Sequence, residues 1–207
     1  MKTLTIDGEN GDFTMMRHGT DIKDMDRSFG SDRATPRSSM RPGSLSNFIY
    51  AAEAFMTTDF KEILSVFNEH EVRYLVVGAY AVMKYTEPRY TKDLDIWVEA
   101  SPENASRVFS ALRAFGAPMQ GVSEADFCTD GFYQMGRPPI RIVILMSIDG
   151  VEFADAWPNR HSGDFDGVPA DFLGPNELIT NKMASARPQD IIDVESLRSG
   201  RTQTRER

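Results

Sequence analysis

From residue 57 onward, apolar and polar positions follow regular periods that change several times along the chain. Phe60, Ile63, Leu64 and Phe67 recur at helical spacing, with Asp59 and Glu62 three apart ahead of them as in a capping box, so a first amphipathic helix is predicted over 59 to 70. Val72, Tyr74, Leu75, Val76 and Val77 form a β-branched and aromatic run that stops at Gly78, and Ala79, Ala81, Val82 and Met83 follow in helix-compatible order. That reads as strand, glycine turn, helix. Residues 93 to 98 alternate strictly, which places Asp93, Asp95 and Trp97 on one face of a strand and Leu94, Ile96 and Val98 on the other. Ser101, Pro102 and Glu103 open a helix over about 102 to 115 that Gly116 ends. Residues 132 to 135 and 140 to 146 read as two strands joined by a short Gly-Arg-Pro-Pro loop, the second almost wholly apolar and therefore central. A polar, glycine-rich connection then leads to two helices, 175 to 186 and 190 to 197, separated at Pro188.

The stretch before this pattern has no period. Up to about Ser46 it is crowded with Asp, Arg, Ser, Gly and Pro, and its isolated apolar residues cannot offset the cost of ordering a backbone, about 1 to 2 kcal/mol per residue. A disordered leader over 1–55 is predicted, with NFIYAAEAFMT at 47 to 57 as either a short helix or the leader's last part. Two origins stay open for it: a regulatory tail, or an over-extended reading frame ahead of a natural start at Met56. The compact unit is placed at 56–198, and 199–207 is read as a basic, flexible tail. No internal repeat is present.

Composition narrows the class. With 207 residues the chain holds about one domain, and its hydrophobic share of 41% fits a compact unit carrying a polar extension. The net charge of -8 argues against a surface that is basic all round, while leaving room for a local basic patch. Cys128 is the single cysteine, so no internal disulfide forms and a reducing compartment is expected. No run of apolar residues approaches a membrane span, and the acidic N-terminus lacks the apolar segment of a signal peptide. These features predict a cytoplasmic protein with no membrane partner. The histidines at 18, 70 and 161 are scattered without zinc spacing, and the glycine-lysine signature of a P-loop is absent.

The candidate chemistry gathers around the alternating strand. Asp93 and Asp95 leave one face about 6.5 to 7 Å apart at their bases and can converge on a hard cation, the usual way of holding magnesium for phosphate chemistry. The plainer reading is a solvated edge strand, although Trp97 on the same face argues for cover. Gly78 stands where free backbone N–H groups favour a phosphate and a side chain would obstruct its approach; it also suits a turn on geometry alone. Arg89 and Lys92, between the glycine and the acids, can offset phosphate charge or serve as ordinary ion-pair partners.

Taken in order, Val77-Gly78-Ala79-Tyr80-Ala81-Val82 and Pro88-Arg89-Tyr90-Thr91-Lys92-Asp93-Leu94-Asp95-Ile96 resemble the signature of the DNA polymerase beta-like nucleotidyltransferase superfamily. The spacing between glycine and acids is similar to the branch of abortive-infection-type nucleotidyltransferase toxins. The likeness continues through Gly136-x-Pro138-Pro139-x-Arg141-Ile142, Gly150-Val151-x-Phe153-x-x-Ala156-Trp157, Leu178-Ile179-x-Asn181-Lys182 and Arg187-x-x-Asp190-x-x-Asp193, covering about 57 to 198. It implies an α/β (α+β) fold, a small mixed sheet flanked by helices. It also implies a nucleoside triphosphate lying against the glycine turn, with two divalent ions, magnesium or manganese, held by Asp93 and Asp95. Gly78 and Ala79 would offer backbone contacts to phosphate, and Lys182 would touch the triphosphate unless, as a helix lysine, it is simply solvated. Asp190 and Asp193 are expected to cap or pair locally. The nucleotidyl group would pass to a hydroxyl of RNA, protein or a small molecule, and a cognate antitoxin or other partner protein is a further expectation. Two departures stand out. Ala79 replaces a serine common at the turn, and Val143 stands where the resemblance leads one to expect a third carboxylate, which leaves a catalytically degenerate nucleotide-binding or partner-binding module as the alternative.

Overall fold

In the computed structural model, residues 2–6, 13–17, 58–136 and 140–205 are described. Their centre is an eight-stranded mixed sheet built from β1 (Lys2–Ile6), β2 (Phe13–Arg17), β3 (Tyr74–Val76), β4 (Asp93–Val98), β5 (Gly131–Met135), β6 (Arg141–Leu145), β7 (His161–Phe165) and β8 (Val168–Phe172), in the order β1-β2-β5-β6-β4-β3-β8-β7. The β4/β6 and β3/β8 pairs are parallel and the rest antiparallel. The helices are α1 (58–69), α2 (Gly78–Met83), α3 (Pro102–Phe115), α4 (Phe153–Ala156), α5 (Pro175–Ser185) and α6 (Pro188–Arg205). The expected fold class, a mixed sheet flanked by helices, is the one observed.

The alternation of β4 divides the interior into two layers. Leu94, Ile96 and Val98 are fully buried on one face with Phe60, Ile63, Leu64 and Phe67 of α1 and Val108, Ala111 and Leu112 of α3. Trp97 and Leu75 face the other way, into a second layer closed by Phe153 of α4, Leu178 and Ile179 of α5, and Val194 and Leu197 of α6. The acid pair lies on this second face. Ser101 accepts a hydrogen bond from the Asn104 N–H and Gly116 takes a left-handed φ of 85°, so α3 starts and stops where the sequence marks it.

Other boundaries differ. Asp59 lies inside α1, so it does not cap it. Pro188 opens α6, its missing N–H costing nothing in a first turn, and that helix runs to Arg205 through most of the segment expected to be loose. The polar connection after Asn159 is a β7–β8 hairpin whose Asp166 and Gly167 both have positive φ, 49° and 91°. The predicted disordered leader falls mostly outside the described residues. Two pieces of it, β1 and β2, extend the sheet beyond β5, and Met15, only 1% exposed, joins the core. Sheet pairing supplies the backbone partners that this short apolar segment cannot find alone. Among the described residues no helix is long and apolar enough to cross a membrane.

Candidate active site

The apolar run of β3 ends at Gly78 with φ +62°, a left-handed conformation that favours glycine. A second constraint acts at the same atom. A Cβ there would overlap Oδ2 of Asp95 and lie 2.9 Å from its Cγ, so the carboxylate of β4 rests directly on the Gly78 backbone. The Val77 N–H also donates to the Asp95 carbonyl at 3.0 Å, fixing the start of α2 against β4. Ala79, in the first turn of α2, is buried, and its N–H is among those an α-helix leaves without an intrahelical partner.

Asp93 and Asp95 share the sheet face as alternation predicts, but their surroundings differ. The Asp93 carboxylate is gripped by Arg141, with Nε donating to Oδ1 at 2.9 Å and Nη2 to Oδ2 at 2.7 Å. This pair spans the parallel β4/β6 register, in which Asp93 faces Arg141 and Asp95 faces Val143. Val143 is 1% exposed, so the position opposite Asp95 is filled by a methyl surface. Among the described residues no group of three or more His, Cys, Asp or Glu gathers that could hold a metal ion.

Asp95 has a carboxyl pushed up to about 6 from the ordinary 3.8. Burial is the largest cause, followed by repulsion from Asp93, while Lys182, Arg187 and Arg141 pull the other way. An acid so placed gains from any added positive charge.

Positive charge converges from the α5–α6 side. Lys182, with a side chain only 12% exposed, puts Nζ 2.7 Å from Asp190 Oδ1 and 3.3 Å from Asp193 Oδ2. Arg89 reaches the same Asp193 at 3.1 Å, and its Nε is buried with no hydrogen-bond partner. Asp190 accepts from the Arg187 N–H at 3.1 Å, a local cap, whereas Asp193 accepts locally from Gln189 and also holds Arg89 from a distant part of the chain. Lys182 is therefore a clamped, buried ammonium near Asp95, neither solvated nor free-standing. Lys92 is not brought to the acids: it is exposed, with Nζ 6.0 Å from the centre of the Tyr90 ring.

Of the residues named from sequence, Gly78, Ala79, Asp93, Asp95, Arg89 and Lys182 meet in one region and Lys92 stays outside it. Sequence reasoning gave Arg141 and Arg187 no role. Arg141 shares the alternation of Val143, two residues on, but only the parallel register shows that it opposes Asp93.

No protein-family model and no curated protein matches the chain. A similar solved structure is the crystal structure of an antigenic nucleotidyltransferase-like protein from Paracoccidioides brasiliensis, 16% identical, with a TM-score of 0.45 over 69% of this chain and 74% of that one.

Proposed function

We propose that the chain binds a nucleoside triphosphate together with one divalent cation, magnesium or manganese, at Asp93 and Asp95, and transfers its nucleotidyl group to an acceptor hydroxyl, the α-phosphorus bonding to the acceptor oxygen as its bond to the β-phosphate breaks and pyrophosphate leaves. The observation that carries this reading is the seat of Asp95. A carboxylate with a raised pKa is pressed onto the backbone of a left-handed glycine, beside a second acid and within electrostatic reach of Lys182, Arg187 and Arg141. A purely structural sheet position would be cheaper to fill with an apolar residue, since a partly buried carboxylate beside a second acid opposes folding.

The residues suit one ion. Magnesium is commonly held by one or two carboxylates and completed by phosphate oxygens and water. Arg141 takes one lone pair from each Asp93 oxygen, and a carboxylate offers about four such sites, so Asp93 can still share a cation. With Val143 opposite Asp95, a second ion finds no third protein carboxylate on this face among the described residues. When bound, the cation supplies charge neutralisation at the transferring phosphate. The chain's own part would be to orient the polyphosphate: Arg89, whose Nε has no hydrogen-bond partner, and the backbone N–H groups at Gly78 and Ala79 are its candidate donors, while Lys182 favours the ionised form of Asp95. The toxin-like role, an RNA or protein acceptor and a cognate antitoxin belong to the same proposal and rest on the motif resemblance alone.

One observation favours a second reading, nucleotide binding without turnover. Val143 can neither ligate nor accept a proton, so nothing opposite Asp95 activates the attacking hydroxyl. Labelled transfer from each of the four triphosphates, offered total RNA and protein extract, separates the two. Transfer that vanishes in Asp95→Ala supports the enzyme; transfer only by Val143→Asp supports the degenerate module. Magnesium-dependent nucleotide binding that survives Asp93→Ala with Asp95→Ala overturns the site.

A further inference from the structure

The face bearing the acid pair is sorted by charge. On the β3 side, α5 and α6 lay Leu178, Ile179, Val194 and Leu197 onto Leu75, Val77 and Trp97, and this brings Lys182 and Arg187 within electrostatic reach of Asp95. On the other side the register runs from Asp95 to Val143 on β6 and from Val143 to Gln134 on β5. Neither of these two residues carries charge, and the charge that β6 does place on this face, Arg141, is committed to Asp93. Gln134 is 6% exposed, and its Oε1 is buried with no hydrogen-bond partner. Two strand spacings of about 4.8 Å put its backbone roughly 10 Å from that of Asp95, on the same face.

A buried amide oxygen without a partner is unfavourable, and nearly all such groups in folded proteins are satisfied by protein, water or ligand. A carboxamide offers an acceptor and a donor edge together, which no phosphate requires but which a nucleobase edge or a sugar hydroxyl can pair with. A nucleoside triphosphate is itself divided by charge: its polyphosphate belongs with Arg89, Lys182 and Arg187, and its uncharged nucleoside end with the uncharged flank. We propose that Gln134 reads the nucleoside end of the bound nucleotide and so sets its specificity. This rests on the nucleotide reading above and deepens it. Val143 and Gln134 are both covered, at 1% and 6% exposure, so a nucleoside reaching Gln134 must displace whatever covers this part of the face.

The test measures magnesium-dependent binding of the four ribonucleoside triphosphates, their 2′-deoxy forms and inorganic tripolyphosphate to the full chain and to Gln134→Leu. The natural chain should prefer one nucleotide, and Gln134→Leu should lower the ratio of that nucleotide's affinity to that of tripolyphosphate by at least about fivefold, the loss of one hydrogen bond. Loss confined to ribose against deoxyribose assigns Gln134 to a sugar hydroxyl; loss across the bases assigns it to a base edge. Its thermal midpoint should hold or rise, because an unpartnered buried amide is removed. Gln134→Met, of matching length, repeats the comparison if the leucine variant folds poorly, and a lowered midpoint in both variants marks a structural glutamine and overturns the proposal. So does an unchanged affinity ratio, as an enclosed water on Gln134 would give. Failure of tripolyphosphate and every nucleotide to bind the natural chain overturns instead the nucleotide reading beneath it.

Discussion

Replacing Asp95 with asparagine should make the protein more stable and at the same time abolish cation-dependent nucleotide binding. The carboxyl ionises at about 6 in the folded chain against an ordinary 3.8, because burial and Asp93 both oppose its charge. Between those two pH values the folded state holds a proton that the unfolded state has released, so stability falls as pH rises through this window and stays low above it. At about 1.4 kcal/mol per tenfold change, the gap corresponds to about 3 kcal/mol, and the residual exposure of Asp95 reduces the expected effect to about 1–3 kcal/mol. Asparagine copies the shape of the protonated acid against Gly78 without ever ionising. Urea unfolding in chelator, from pH 4 to 8, should therefore show Asp95→Asn and the natural chain converging near pH 4 and separating in favour of the variant above pH 6. Curves that remain parallel over the whole range, or a variant less stable at pH 8, would refute the account of Asp95 as a charge held against the fold's interest.

Four further outcomes follow from the same geometry. Gly78→Ala should destabilise by at least about 1–3 kcal/mol, from the φ of +62° and the collision with Asp95, as read by denaturant midpoint. Arg141→Gln should raise the affinity of Asp93 and Asp95 for manganese alone by at least about fivefold in a calorimetric titration, since one charge about 4 Å away is worth ~1 kcal/mol even in bulk water. Lys182→Met should cost about 3–5 kcal/mol in unfolding free energy because it leaves Asp190 and Asp193 short of a buried partner, and adding Asp190→Asn should recover part of that. Val143→Asp should be markedly less stable than the natural chain in chelator at pH 7.5, and magnesium or manganese should raise its thermal midpoint more than the natural chain's.

The parts of this site that are legible in the sequence are those governed by local rules. Strand alternation alone puts Asp93, Asp95 and Trp97 on one face, and a glycine after an apolar run marks the β3–α2 turn. The burial of Phe60 and Phe67 follows from helical spacing in the same way. What the sequence hides depends on which strands become neighbours. Arg141 meets Asp93 because β4 and β6 pair in parallel, a register that no local pattern encodes. Lys182 looks like a solvated helix lysine until α6 folds back and presents Asp190 and Asp193. The β7–β8 hairpin is a different case, since Asp166-Gly167 is a strong turn signal that the surrounding polar composition obscures.

The cost of these charges and their arrangement bear on the same question. Asp93, Asp95, Asp190 and Asp193 are matched by Arg89, Arg141, Lys182 and Arg187, so the region is close to neutral before anything binds. Matching is not uniform. Arg141 neutralises Asp93 directly and Lys182 is committed to the α6 aspartates, whereas Asp95 is served only at a distance and keeps its raised pKa. A network selected for stability alone would place partners on its most buried acids, as Lys182 does on Asp190 and Asp193, and would leave no partly buried acid unpaired. Here the acid that touches the glycine backbone is the one left without a direct partner, which is the arrangement required if an incoming cation is to supply the missing charge. On the same face, the unpartnered Nε of Arg89 and the unpartnered Oε1 of Gln134 are a donor and an acceptor still to be satisfied. In the proposed reading, Asp95 with its cation, the Arg89 donor and the Gln134 amide would together complement a metal-bound nucleotide.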